Sequence, residues 1–151
     1  MSADDDHELV RQVGTSLTET GAMVAVAESC TGGLVSSELT NVAGSSEYFD
    51  RGLVTYSNRA KIDLLAVDPG ALEREGAVSA EVARQMARGV RDNAATRYGV
   101  STTGIAGPSG GTSEKPVGTV FIGVAAAAEG TVSATRYQFD GTRLEYKAQF
   151  A

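Results

Sequence analysis

Between His7 and Thr20 the apolar residues Val10, Val13 and Leu17 recur three and four positions apart, which predicts one face of an amphipathic helix ended by Gly21. The chain then becomes wholly apolar over AMVAVA, residues 22–27. The shortness of that run and the SCTGG behind it predict a buried strand, a sharp turn and a helix from Gly32 to about Thr40 carrying Leu34, Val35 and Leu39. A second strand is expected at 52–57, GLVTYS, with Asn58 capping the short helix RAKIDLL and Pro69-Gly70 interrupting the chain after it. Ser79 is expected to cap a helix running to about Ala95, in which Val82, Met86 and Val90 form an i, i+4, i+8 stripe. Strands are expected at 98–105, 117–127 and 131–139, the last two joined by a turn at Glu129-Gly130, and a short helix from Leu144 onward. Residues 1–6 read as a frayed, disordered acidic start, and the Gly-, Pro- and Ser-dense stretch 106–116 as a loop.

Continuous apolar strands separated by helices predict an α/β fold with a mostly parallel sheet covered on both faces, which the late hairpin makes mixed. No internal repeat or linker divides the 151 residues, so residues 1–151 are expected to form a single domain. Composition changes this picture little: 42% hydrophobic and 21% charged residues are ordinary for a globular chain. Charge changes it more. A net charge of −6 and the lack of any basic run argue against a nucleic-acid partner, while leaving room for a small anion held by a helix N-terminus or one or two arginines. The single cysteine, Cys30, excludes an internal disulfide and any CxxC site. MSADDDHELV does not read as a signal peptide, and no apolar run approaches a bilayer span, so a cytoplasmic protein without membrane contact is expected.

Three loops stand out: ESCTGG at 28–33, TYSNRAK at 55–61 and TGIAGPSGG at 103–111. In a mostly parallel sheet such loops gather at the strand C-termini, where ligands bind. Neither glycine-rich loop fits a dinucleotide fingerprint or a GxxxxGK[ST] phosphate loop. Ser29 falls between strand and helix, placed either to cap that helix or to act as a nucleophile beside free N–H groups of its first turn. A serine nucleophile needs a base, and the only histidine is His7 in the frayed start, so the base must be one of three lysines: Lys61, Lys115 or Lys147. Lys61 is best placed. With Asn58 as N-cap it lies in the first helical turn, where the dipole, and burial if it occurs, favour the neutral amine a general base requires. Lys147 reads as a surface residue. Tyr56 is read either as a core tyrosine or as a partner of Ser29 or of an aromatic base, and Arg143 as a solvated residue or a phosphate ligand. Cys30 offers a rival nucleophile or a small buried hydrophobe. No cluster of His, Cys and carboxylates has metal-site spacing, so neither metal nor cofactor is expected.

The segments AESCTGGLVSSELTNVAGSSEYFDRGLVTYSNRAKIDLL (27–65), GAVSAEVARQMARG (76–89) and TGIAGPSGGTSEKPVGTVFIGVA (103–125) resemble the CinA C-terminal domain family, whose stand-alone members include nicotinamide mononucleotide amidases. The resemblance covers about residues 8 to 145. It implies a three-layer α/β/α sandwich with a mixed sheet, no metal, a small-molecule nucleotide as partner, and a homo-oligomer, by expectation a dimer. It implies hydrolysis of the nicotinamide mononucleotide carboxamide to nicotinic acid mononucleotide and ammonia, with Ser29 as nucleophile, Lys61 as its partner and Tyr56 in support. Cys30, Thr31, Gly32, Gly33, Thr103, Gly104, Ala106, Gly107 and Arg143 are implied as substrate-binding. The chain departs from the family in carrying Gly141-Thr142-Arg143 where Gly-Asp-Arg or Gly-Asn-Arg is common, and in a short terminal helix. Alternatives are a non-catalytic nucleotide-binding module, an amidase for another small amide, and a Cys30 nucleophile.

Overall fold

The computed structural model describes residues 3–127 and 130–151. Helix α1 (Ala3–Thr20) begins earlier than the sequence predicts. Asp4, Asp5 and Asp6 lie in its first turn, where carboxylates favour the helix dipole, so the acidic start from Ala3 is helical rather than frayed. Gly21, with φ of 67°, ends it as expected. β1 (Val24–Glu28) follows and is buried at every position. Next come α2 (Leu34–Thr40), β2 (Phe49–Val54), α3 (Asn58–Leu65), α4 (Pro69–Glu75), α5 (Ala80–Ala94), β3 (Tyr98–Gly104), β4 (Thr119–Ala126), β5 (Thr131–Gln138) and α6 (Arg143–Phe150).

The five strands form one sheet in the order β2-β1-β3-β4-β5. β1 pairs parallel with β2 and β3, while β3/β4 and β4/β5 pair antiparallel. The sheet is mixed as expected, but evenly divided rather than mostly parallel, because β3 returns through a loop on one edge instead of a crossover helix. Part of the predicted turn Glu129-Gly130 lies outside the described residues; β4 and β5 pair antiparallel on either side of it. Helices cover both faces. On one, α3, α4 and α5 close a core of Ala25, Ala27, Leu65, Val67, Leu72, Val82, Met86 and Val90. On the other, Tyr146 and Phe150 of α6 pack with Cys30, Ala106 and Val120.

Two short-range differences matter for the site. Ser57, not Asn58, caps α3: its Oγ accepts the Ala60 N–H at 3.0 Å. Lys61 therefore sits one position deeper in the helix, and Asn58 is free to face a cleft. Pro69-Gly70 opens a helix rather than merely breaking one, because Asp68 caps it and proline is preorganised for the first helical position. α5 is as predicted, with Ser79 as N-cap and Val82, Met86 and Val90 fully buried. Its fit to α3 depends on Gly89, where a Cβ would stand 2.0 Å from the Leu65 carbonyl oxygen, and its fit to the sheet on Gly99 of β3, where a Cβ would stand 2.1 Å from that of Ala87.

The strand order places the site. From β1 the chain leaves toward β2 on one side and comes back to β3 on the other, so the loops that leave the C-terminal ends of the paired strands β1 and β3 part around a crevice. Met86, on the face of α5 that supports those strands, has no exposed surface. Met86→Ala is expected to destabilise the protein by about 2–5 kcal/mol, read as a lower urea midpoint at unchanged m-value.

Candidate active site

Ser29 follows β1 directly, and its N–H donates to the Thr102 carbonyl of β3 at 3.1 Å, which pins the residue over the crevice. The turn beyond it requires glycine: Gly32 and Gly33 have φ of 61° and 104°, where a side chain is strained. Helix α2 then starts at Leu34, not at Gly32. Its first turn is not free to bind a ligand, contrary to expectation. The N–H groups of Gly33, Val35 and Ser36 donate to the Glu28 carboxylate, and those of Gly32 and Leu34 to the Ser29 and Thr31 carbonyls. A strand-end carboxylate takes up the N–H groups that the sequence leaves free.

Lys61 projects from α3 into the same crevice and is 1% exposed. Its Nζ lies 3.0 Å from Ser29 Oγ, 2.8 Å from the Thr55 carbonyl oxygen and 3.2 Å from that of Tyr56. No carboxylate is among these acceptors, and burial lowers its pKa from the usual 10.5 to about 8. Once neutral, the amine has two N–H bonds for the two carbonyls and one lone pair, which leaves the lone pair directed at the Ser29 hydroxyl. That is the arrangement a general base requires.

Cys30 is 6% exposed and lies within the second core cluster. Burial pushes its thiol up to about 12, so it does not supply a thiolate at neutral pH. The hydroxyl of Tyr56 accepts from Arg143 Nη2 at 2.9 Å, and it is the main-chain carbonyl of Tyr56 that meets Lys61. Arg143 Nη1 donates to the Gly107 carbonyl at 2.6 Å, so the guanidinium spans the cleft mouth. Both acceptors are neutral, which leaves its charge available to an anion. Thr103 Oγ1 donates to the Ala77 carbonyl at 2.8 Å, tying the segment before α5 to the wall.

The resulting cleft of about 280 Å³ is lined by Ser29, Cys30, Tyr56, Lys61, Thr103, Gly104, Ala106, Gly107 and Arg143 from the sequence reading, joined by Asn58, Ala77, Val78, Ile105, Ser109 and Gly110. Three expected residues, Thr31, Gly32 and Gly33, lie outside its wall. Thr31 is buried beneath it, donating to Glu28 Oε1; Gly33 lies against Val54; Gly32 lies under Lys147, whose Nζ is 3.4 Å from where a Cβ would sit. Lys147 is thus half-buried over the turn rather than a plain surface lysine. Lys115 donates to the Glu75 carbonyl, away from Ser29. A larger groove of about 540 Å³ between α3 and α5, lined by Leu64, Gln85, Arg88 and Asp92 among others, holds neither a nucleophile nor a buried base. Sequence reasoning passed over Glu28. Its signal was there: a carboxylate at the end of a strand that is otherwise wholly apolar. Among the described residues no group of three or more His, Cys, Asp or Glu is placed to hold a metal ion, and no helix is long and apolar enough to cross a membrane.

A serine hydroxyl facing a buried lysine without a counter-charge, at the switch point of an α/β/α sandwich, is the arrangement a serine–lysine hydrolase requires. The comparisons name the family: residues 6–151 match the CinA C-terminal domain, and the chain belongs to that family. It is 49% identical over 151 residues to nicotinamide-nucleotide amidohydrolase PncC of Enterobacter agglomerans, an alignment covering 100% of this chain and 92% of that protein. It is also 49% identical over 152 residues to a CinA-like protein of Chlorobium limicola, covering 99% of this chain but 35% of that relative, so it spans about a third of such longer proteins. The crystal structure of competence/damage inducible protein CihA from Agrobacterium tumefaciens superposes with a TM-score of 0.92 at 45% identity, covering 96% of this chain and 88% of the other.

The depressed lysine carries a stability signature. An unfolded chain holds the Lys61 proton up to about pH 10.5 and the folded chain only to about 8, so across that window the unfolded state binds more protons and folding stability rises with pH. Urea titrations from pH 7 to 9, below the range in which the unfolded Cys30 thiol ionises and opposes the trend, are expected to show this rise in the parent protein and to lose it in Lys61→Met, which relieves the buried ammonium and is expected to be the more stable at pH 7.

Proposed function

We propose that this chain is a nicotinamide-nucleotide amidase that hydrolyses the carboxamide of nicotinamide mononucleotide to nicotinic acid mononucleotide and ammonia. The observation that carries this reading is the 3.0 Å approach of the buried Lys61 amine to Ser29 Oγ. The full-length likeness to an amidohydrolase of that name supports it.

In the proposed reaction neutral Lys61 takes the Ser29 proton as Oγ attacks the amide carbon, already polarised by the cationic pyridinium ring. The N–H groups of Gly32 and Gly33 are engaged elsewhere and Thr31 lies beneath the wall, so the oxyanion donor from this turn narrows to the main-chain N–H of Cys30, which lines the cleft. The Lys61 ammonium gives its proton to the departing nitrogen, which leaves as ammonia. Water then attacks the acyl-enzyme with Lys61 again as base, and the Ser29–acyl bond breaks to release the carboxylic acid. Arg143 binds the substrate phosphate, and Tyr56 acts by holding Arg143 through its hydroxyl and Lys61 through its carbonyl.

Coupled detection of ammonia from the purified protein is expected to show release from nicotinamide mononucleotide and poorer turnover of NAD and free nicotinamide. Binding of the mononucleotide without ammonia release would instead identify a nucleotide-binding module. Ser29→Ala is expected to lower kcat by about 10³-fold or more while leaving the far-UV spectrum unchanged. Arg143→Ala is expected to raise KM about tenfold with kcat nearly constant, the loss of one charge-assisted contact. In the parent protein kcat/KM is expected to climb with pH and level off above about 8, as Lys61 gives up its proton.

A further inference from the structure

The reaction above makes no use of the charged group buried deepest beside it. Glu28 ends β1 with no exposed surface. Its Oε1 accepts the Thr31 hydroxyl at 2.6 Å and the N–H groups of Gly33 at 3.1 Å and Val35 at 2.9 Å. Its Oε2 accepts the Ser36 N–H at 3.0 Å and the Ser36 hydroxyl at 2.7 Å. Burial alone would push this carboxyl up, but the bonds from Thr31, Ser36 and Val35 outweigh it and hold the pKa below the ordinary value, so the group is ionised. Every one of these partners is a donor, which is a match for a carboxylate and for no neutral side chain of the same size. Thr31 also shares a hydrogen bond of 2.8 Å with Thr102, whose carbonyl takes the Ser29 N–H.

The main chain of the same residue reaches the other half of the site. The Glu28 carbonyl accepts the Thr55 N–H at 2.7 Å, and the Thr55 carbonyl is the shortest of the three contacts of Lys61 Nζ, at 2.8 Å. The residue before the nucleophile is therefore bonded to the turn after the nucleophile and to the strand end that holds the base.

We infer that Glu28 is the positioning residue of the Ser29–Lys61 pair, its carboxylate fixing the 30–36 turn that aims Ser29 and its carbonyl fixing Thr55, which aims Lys61. The inference rests on the amidase reading for its substrate and on the contacts above for its geometry. A glutamine at 28 keeps the volume but turns an NH2 group toward N–H donors that it cannot accept from. The turn must then shift, and displacements near 1 Å at a reacting atom cost about 10²-fold in rate.

The test is Glu28→Gln. Its kcat for nicotinamide mononucleotide is expected to fall about 10²-fold with KM held within about twofold. In a Ser29→Ala background, which binds without turnover, adding Glu28→Gln is expected to leave the Kd for the mononucleotide unchanged within about twofold. A merely structural role would weaken binding along with rate. Ser36→Ala, which removes one donor and spares the carboxylate, is the fallback if Glu28→Gln does not fold; a several-fold loss confined to kcat is expected. Labelling of Ser29 by a fluorophosphonate needs the nucleophile and base but not the natural substrate, and is expected to slow in parallel. If the parent protein labels at Ser29 yet releases no ammonia, the substrate reading fails and the labelling rates of the variants decide the role of Glu28. Equal labelling of parent and variants, or losses that fall on KM and Kd, would overturn it.

Discussion

An amine held out of water without a counter-charge is the constraint on which the rest of this molecule turns. Lys61 is almost wholly buried, and its acceptors are two carbonyl oxygens and a hydroxyl. Three neutral acceptors satisfy its hydrogen bonds but do little to repay the lost hydration of a full charge, so the proton becomes easy to lose. A carboxylate in this position would have restored an ordinary lysine. Its absence leaves an amine that gives up its proton near pH 8, the property a general base needs, with no histidine beside it.

Building such a site needs two chain segments far apart in sequence to meet with little slack, and the sheet supplies this. β1 lies between β2 and β3, so the ends of three strands carry Ser29, Thr55–Tyr56 and Thr103–Gly104 to one crevice. The Ser57 cap sets the rotation of α3 that sends Lys61 inward. The buried stripe of α5 holds the strands from below, and Gly99 beneath it allows that contact to be close.

Much of this was legible in the chain itself. Long-period features read correctly: the stripe on α5, the buried strand before SCTGG, and the pairing of Ser29 with Lys61 once histidine had been set aside. Features decided by a single hydrogen bond did not. Ser57 and Asn58 are both good capping residues, and only the fold determines which one receives the Ala60 N–H. The divided sheet was hidden because an apolar strand reads alike whether its neighbour runs parallel or antiparallel. The N–H groups of the turn after Ser29 read as free because a glycine-rich turn before a helix so often receives an anion. Here the anion is part of the protein.

Arg143 starts the last helix, yet its guanidinium rests on Gly107 and Tyr56, which belong to two other loops. The cleft mouth is therefore bridged by one guanidinium that ties three separate segments of the chain together. The seating of the C-terminal helix, fixed by Tyr146 and Phe150 in the core, thus also sets where the rim of the cleft lies.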